Sequence, residues 1–279
     1  MTDRLVINHA TVREKMDMTA FVKACGKRGL SMVSIWESEI DRIGKAAAKE
    51  VLTQTGSRVF GYNRAGPLLA SSASERGQRL DAAKRSIDLA LEFDADHVLL
   101  FPGGAPEGEK GLGGARGMTE EAVGHLLDHL GDGAARLALE PLHPMLAGDR
   151  SCIVSMSHAN DICDRLGRNL GIVVDVYHVW WDERLDEEIA RAGKHGRIAG
   201  FHVNDWLVPT KHTLTDRGMM GDGVIDLAHL WNVVKRAGYE GPIEVEIFSD
   251  DWWARDADTV IDLCIERCAS IFDLVVERA

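Results

Sequence analysis

Eight short runs rich in β-branched and other apolar residues recur along the chain, and longer segments with helical spacing separate them. Strands that alternate with helices in this way form parallel βαβ units. The predicted strands are Leu5–Asn8, Met32–Trp36, Val59–Tyr62, His97–Phe101, Leu137–Glu140, Ile172–Val176, Ile198–Val203 and Ile243–Phe248. Eight such units in 279 residues are typical of a (β/α)₈ TIM barrel.

The spacing of apolar residues also predicts helices. They include Asp17–Arg28, Arg76–Phe93, Glu120–Leu130, His158–Leu166, Leu227–Ala237 and a last helix over 257–277. An open doubly wound sheet is the alternative, but it usually has a glycine-rich turn after its first strand. Residues 9–16, which follow the first predicted strand, contain no glycine. We therefore predict an α/β fold with one TIM barrel domain over residues 1–279.

The composition disfavours several classes of protein. The formal net charge of −12 argues against binding to nucleic acid or to an anionic membrane surface. No apolar run approaches the roughly 18 residues that cross a membrane, and the first residues lack the apolar core of a signal peptide. The five cysteines are scattered and odd in number, which does not suggest a disulfide framework. We expect a cytoplasmic protein.

Four potential metal ligands lie at the ends of the fifth to eighth predicted strands. A lone carboxylate at a strand end is commonly a loop charge or a helix cap, but four successive strand ends with this chemistry indicate a shared cation. Three carboxylates and one imidazole suit Mn²⁺, Mg²⁺, Co²⁺ or Zn²⁺, and the carboxylate majority favours a harder ion, with Mn²⁺ preferred. The predicted ligands are Glu140, Asp175, His202 and Glu246.

The eighth strand offers two carboxylates on one face, because side chains alternate along a strand. Glu246 is the preferred ligand since it lies nearer the end of the strand. Glu244 would lie deeper in the barrel, where it could pair with a buried base.

The ligand order Glu, Asp, His, Glu resembles the xylose isomerase-like barrel superfamily. Its members include ketose 3-epimerases, hydroxypyruvate isomerase, inosose dehydratase and endonuclease IV. The DxxH motif of Asp175 and His178, the HVND run that begins at His202 and the GDGVID run at Gly221–Asp226 also match. The resemblance covers essentially the whole chain and is specific for the fold and the metal site.

The resemblance implies that the four ligands bind one divalent metal ion. Glu140 and Glu246 would also act as the catalytic acid and base, and His178 would contact a substrate oxygen. Ketose epimerases carry a second glutamate six residues after the first ligand, where this chain has Leu146. They also carry an arginine six residues after the histidine ligand, where this chain has Val208. An ordinary ketose 3-epimerase is therefore not expected.

His143, three residues after Glu140, is a further candidate for catalysis. The catalytic subunits of C-deglycosidases, which resemble this chain at the superfamily level, eliminate the aglycone from 3-keto-glycosides and are thought to use a histidine base near the metal. We therefore predict that His143 is a general base or an oxygen contact. We also expect a homo-oligomer, or a hetero-oligomer with a small partner subunit.

Aromatic and basic residues near the strand ends are candidate substrate contacts. His9, Trp36 and Trp206 could face a sugar, although the tryptophans are equally compatible with packing of rim loops or with a subunit contact. Three basic residues after the seventh strand could bind a phosphate or a sugar oxygen, but a solvated loop is the simpler interpretation for most of them. They are Lys211, His212 and Arg217.

The segment Gly103–Gly117 after the fourth strand contains seven glycines. This composition predicts mobility, and the position predicts a lid over the site or, as an alternative, a simple insertion.

The predicted function is that of a metal-dependent sugar isomerase or epimerase, which abstracts a proton next to the carbonyl of a keto-sugar or cyclitol. A keto-sugar lyase, either a deglycosidase or a dehydratase, is the main alternative because its first step is the same. An endonuclease IV-like nuclease and a non-catalytic sugar-binding subunit are less favoured.

Overall fold

The computed structural model describes residues 4–133, 135–167 and 169–272, and it confirms the predicted barrel. The strands are β1 (Leu5–Asn8), β2 (Met32–Trp36), β3 (Arg58–Ala65), β4 (His97–Leu100), β5 (Arg136–Leu139), β6 (Leu170–Asp175), β7 (Ile198–Val203), β8 (Asp205–Trp206), β9 (Arg217–Gly218) and β10 (Ile243–Val245). Eight of them form a closed parallel barrel in the order β1, β10, β7, β6, β5, β4, β3, β2. These eight are the predicted strands, with small shifts at their ends. β8 and β9 form a separate antiparallel hairpin.

Helices cover the outside of the barrel. They are α1 (Met18–Lys27), α2 (Glu37–Ile43), α3 (Lys45–Thr55), α4 (Ala73–Glu92), α5 (Gly113–Leu130), α6 (Met156–Leu166), α7 (Val176–Val179), α8 (Leu185–Lys194), α9 (Leu227–Arg236), α10 (Asp250–Trp253) and α11 (Ala257–Phe272). The predicted helices are therefore confirmed, although residues 273–277 of the last one lie outside the described residues. No helix in the described ranges is long and apolar enough to cross a membrane.

Local sequence signals set several helix ends. The side chains of Ser155 and Asp226 accept hydrogen bonds from the backbone of the first turns of α6 and α9, which satisfies N–H groups that have no partner within the helix. Gly238, just after α9, has a φ of 87°, a left-handed conformation that glycine adopts without steric cost.

The barrel interior is packed and not open. Two small apolar clusters fill it below the site, separate from the large core between strands and helices. They comprise Val6, Met32 and Phe60 in one cluster and Leu99, Ala138 and Val173 in the other. The polar residues at the strand ends therefore rest on a floor of close-packed side chains.

The glycine-rich segment is more ordered than its composition predicts. Residues 113–117 form the beginning of α5, so the prediction that they belong to a mobile loop is wrong. Gly103 forms a β-bridge with Ser151. A Cβ atom on Gly104 would lie 2.2 Å from the carbonyl oxygen of Gly148, so the base of the segment packs closely against the connection between β5 and α6.

Candidate metal centre and active site

The structure brings the four predicted ligands to one point. Glu140 directly follows β5, Asp175 ends β6, His202 lies in β7 and Glu246 directly follows β10. These four strands are neighbours in the barrel. One ligand atom from each side chain lies within 4.8 Å of the others, and all four side chains are buried.

The donor atoms fit a divalent cation. His202 Nδ1 lies 3.4 Å from Glu140 Oε1 and 3.8 Å from Glu246 Oε2. Both His202 Nδ1 and Glu140 Oε1 are buried without a well-formed hydrogen bond to the described residues, whereas buried polar atoms normally have a partner. Burial, with the nearby charges of Glu246 and Asp175, raises the pKa of Glu140 to about 7. A bound cation would supply the partner and the positive charge that this cluster needs.

Glu244 lies one layer below the ligands and faces the other nitrogen of His202. Its Oε2 atom is 3.3 Å from His202 Nε2, and it is fully buried. Burial tends to lower the pKa of His202, but the charge of Glu244 and contacts with Glu140 and Glu246 outweigh this and raise the pKa well above its usual value. The structure thus shows the predicted pairing of Glu244 with a buried base. A carboxylate in this position directs Nδ1 of the imidazole towards a metal.

Asn8, at the end of β1, is a site residue that the sequence analysis did not assign. Its Nδ2 group donates to Glu244 Oε1 at 2.7 Å and to Glu246 Oε1 at 3.0 Å. Its Oδ1 atom accepts from the backbone of Ala10 and from the Trp36 indole at 2.7 Å. These four bonds fix the amide and hold both carboxylates. Asn8 ends an apolar strand, as the predicted ligands do, and this position could have identified it as a site residue from the sequence.

Two further residues of the HVND run support the site. Asn204 Nδ2 donates to Asp175 Oδ1 at 3.1 Å and to the Glu246 carbonyl oxygen at 3.1 Å. Asp205 accepts backbone hydrogen bonds from the loop that contains the GDGVID run, at Gly221, Gly223 and Ile225. The motif therefore combines a predicted metal ligand, an amide that orients Asp175 and a carboxylate that holds the loop, all within four residues.

Arg217, on β9, lies in the centre of the site, whereas the sequence analysis named it only as one of three basic residues that could bind a phosphate or a sugar oxygen. It is 2 % exposed, and its Nη1 group donates to Asp175 Oδ2 at 2.8 Å and to Glu246 Oε2 at 3.0 Å. Burial tends to raise the pKa of Asp175, but the charge of Arg217, together with His178, His202 and the hydrogen bond from Asn204, outweighs it and lowers that pKa. Arg217 is thus not part of a solvated loop, the interpretation that the sequence favoured for most of the three basic residues in this segment. Val208, which occupies the position of the epimerase arginine, is 69 % exposed. The hairpin of β8 and β9 instead places the guanidinium of Arg217, nine residues later in the chain, at the site.

His178 and His143 are linked through the backbone. His178 Nδ1 accepts a hydrogen bond from the His143 backbone N–H at 3.1 Å, and His178 Nε2 lies 3.0 Å from Arg217 Nη2. Burial lowers the pKa of His178 to about 3, so its ring is neutral. The His143 ring stacks on Trp206 with centroids 4.8 Å apart, and burial also lowers its pKa.

A cavity of about 240 Å³ opens onto the carboxylates. Of the predicted site residues, Trp36, Glu140, His178 and Glu246 line it.

The other predicted site residues do not line this cavity. Asp175 and His202 belong to the buried ligand cluster. The His9 ring packs against Phe21, and its Nε2 atom lies 2.8 Å from the Met16 carbonyl oxygen. His143, Trp206 and residues 103–117 also lie outside the lining. Their proposed contacts with substrate, and the lid, therefore stay predictions.

Comparisons with known proteins agree with this fold. The family model described as xylose isomerase-like TIM barrel matches residues 17–267. Protein SMc04130 from Sinorhizobium meliloti 1021 has 44 % sequence identity and a TM-score of 0.95, over 97 % of this chain and 99 % of that one. The zinc-bound structure of the IOLI protein has 19 % identity and a TM-score of 0.83, over 96 % and 97 % of the two chains. Inosose isomerase of Halalkalibacterium halodurans is 21 % identical over 97 % of this chain and 98 % of that protein.

Proposed function

Because the chain belongs to the xylose isomerase-like TIM barrel family, we propose that it is a divalent-metal-dependent isomerase or epimerase. Its reaction is the movement of a proton next to the carbonyl group of a keto-sugar or cyclitol. A relative of almost equal length is named an inosose isomerase, and a relative with the same fold binds zinc. Mn²⁺ is the proposed cofactor because carboxylates form the majority of the donor set.

One observation carries the proposal. Glu140 and Glu246 both belong to the ligand cluster and both line the cavity. They follow β5 and β10, the two outer strands of the run β10, β7, β6, β5. Two carboxylates in the wall of one cavity can remove a proton next to the carbonyl and return one, either to the opposite face of the same carbon, which gives an epimer, or to the neighbouring carbon, which gives an isomer.

The pKa of Glu140 suits this chemistry. Burial raises the pKa of Glu140 to about 7 in the absence of metal, and the charge of a bound cation would lower it, so Glu140 is ionised and can act as the base when the metal is present. When bound, a divalent cation supplies positive charge that stabilises the negative charge developing on the carbonyl oxygen. Glu246 accepts hydrogen bonds from Asn8 and Arg217, so its carboxylate is held in a fixed orientation.

The remaining groups orient and confine the substrate. His178 and Arg217 line the same cavity and can hydrogen-bond substrate oxygens. The cavity of about 240 Å³ is smaller than the roughly 300–1,000 Å³ usual for drug-sized ligands. Its size favours a monosaccharide or cyclitol over a large aryl glycoside.

Hydrogen–deuterium exchange tests the proposal directly. The protein loaded with Mn²⁺ is incubated in D₂O with ketoses, inososes, sugar phosphates, keto-acids and 3-keto-glycosides, and the substrates are analysed by NMR. We expect deuterium at the carbon next to the carbonyl for at least one of them. The identity of the product then distinguishes an epimer or isomer from an elimination product.

Matched variants test whether the deuterium exchange takes place at the proposed active site. Glu140→Gln and Glu246→Gln should lose the exchange, whereas Glu240→Gln removes one exposed carboxylate near β10 and should keep it. Absence of exchange with every compound, or equal exchange in all three variants, contradicts the proposed function.

A further inference from the structure

The cavity wall is unusually cationic for a chain with a net charge of −12. Besides Arg217, three arginines line it, and they come from separate parts of the fold. Arg13 follows β1, Arg64 lies near the end of β3, and Arg150 lies in the connection between β5 and α6. Arg217 is neutralised by Asp175 and Glu246, so the other three require a separate explanation.

Arg64 is the least compensated of these arginines. Within the described part of the chain, neither an ion pair nor a side-chain hydrogen bond joins its guanidinium to another residue. The guanidinium instead lies over the Phe101 ring at 3.5 Å and over the Trp36 ring at 5.8 Å. Partial burial lowers the pKa of Arg64, and the charges of Arg150 and Arg13 also lower it, while the charges of Glu140 and Glu246 offset part of the shift without an ion pair to Arg64.

Arg13 and Arg150 have only weak partners. Arg13 lies 3.4 Å from Glu14, and Arg150 lies 3.5 Å from Asp149. Both acids are more than half exposed, and exposed pairs of this kind contribute little because water screens them. The net charge of the three arginines therefore remains positive towards the cavity.

Stacking on aromatic rings orients the guanidinium groups of Arg13 and Arg64 in a way that suits the binding of an anion. Arg13 packs over Trp253 at 4.7 Å and Phe248 at 5.1 Å, as Arg64 packs over Phe101. A guanidinium that stacks on a ring with its flat face keeps the N–H groups at its edge available for hydrogen bonds. Its planar fork matches the oxygens of a phosphate or a carboxylate.

We propose that the substrate carries an anionic group, a phosphate ester or a carboxylate, which Arg64 binds together with Arg150 and Arg13. This inference rests on the proposed function and narrows its substrate class from sugars in general to anionic sugars or cyclitols. The reacting carbonyl lies at the end of the cavity formed by Glu140 and Glu246. The anionic group lies against Arg64, Arg150 and Arg13, which line the same cavity as Glu140 and Glu246.

Calorimetric titration tests the site without turnover. The protein loaded with Mn²⁺ is titrated with inorganic phosphate, D-fructose 6-phosphate, D-fructuronate and D-fructose. We expect the anionic compounds to bind more tightly than fructose, and the tighter of the two anionic sugars identifies the phosphate ester or the carboxylate as the recognised group. Arg64→Gln should weaken their binding by about 10–100-fold, the usual range for a lost charged hydrogen bond, and leave fructose unaffected.

Two variants act as controls. Arg58 lies at the opposite end of β3, where it is 63 % exposed and pairs with Asp96, so Arg58→Gln should bind all four compounds like the wild type. Arg150→Gln, at a partly exposed position, provides a second removal of cavity charge if Arg64→Gln does not fold. Thermal unfolding of each variant establishes that it is folded.

The outcomes separate this inference from the proposed function. Anionic compounds that bind no more tightly than fructose, or equal binding by the wild type and both cavity variants, overturn the anion site. Deuterium exchange with neutral ketoses alone also overturns it while the proposed function stands. Tight, Arg64-dependent binding of anions without exchange of any substrate supports the anion site and contradicts the isomerase assignment.

Discussion

Replacement of Glu244 by glutamine should weaken metal binding although Glu244 is not a ligand. Glu244 Oε1 accepts from Asn8 Nδ2 at 2.7 Å, and its Oε2 atom faces His202 Nε2 at 3.3 Å. Both neighbours present N–H groups when His202 binds a cation through Nδ1. A carboxylate can accept from both, but a glutamine must point its NH₂ group at one of them. Asn8 cannot turn to relieve the conflict, because Ala10 and Trp36 already donate to its Oδ1 atom.

The size of the effect follows from this geometry. Loss of a partner that orients a metal-bound histidine typically costs 10–100-fold in metal affinity. This corresponds to about 1.4–2.7 kcal/mol, since each tenfold change in affinity is about 1.4 kcal/mol. We expect the upper half of that range for Glu244→Gln because the site is fully buried and water cannot replace the lost hydrogen bond.

Competition between the protein and a fluorescent chelator for Mn²⁺ measures the affinity. Glu240→Gln is the matched control, since it removes the same charge from an exposed position four residues earlier. Circular dichroism in EDTA establishes that each variant is folded. A folded Glu244→Gln protein with wild-type affinity for Mn²⁺ would refute the role of Glu244 in orienting His202.

Further predictions concern the proposed ligands, the buried Arg217 and the proposed catalytic role of His143. Asp175→Asn and Glu246→Gln should each lower the metal content below one ion per chain by elemental analysis, and unchanged content in both would contradict the ligand assignment. Arg217→Gln removes the cation that pairs with two buried carboxylates, so it should destabilise the protein in EDTA by about 3–5 kcal/mol in urea unfolding. The loss should be smaller with Mn²⁺ bound, because the cation compensates the same charges; equal losses would argue against a shared site. His143→Ala should retain the metal and reduce turnover by about 10²–10⁴-fold, whereas wild-type turnover would leave the acid–base role to Glu140 and Glu246.

Residues whose position depends on a single strand could be predicted from the sequence. An apolar run that ends in Asp175 or contains His202 specifies both the strand and the face on which the ligand lies. Arg217 could not be found in this way, because the hairpin of β8 and β9 brings it back to the site and hairpin geometry has no periodic signal in this segment. The helical start at 113–117 was also missed, since glycine content argues against a helix that tertiary packing nevertheless stabilises.

The ligands and the arginines that we propose for substrate recognition are divided unequally along the chain. All four proposed ligands and Arg150 lie between residues 140 and 246, whereas the other two arginines, Arg13 and Arg64, precede β4. Asn8 joins the two parts, because its hydrogen bonds cross the seam where β1 meets β10. If the proposed function holds, recombination that exchanges the first half of the barrel between relatives should change which substrates are accepted and leave the proposed ligands of the ion in place. The single condition is that the incoming half keeps an amide at position 8.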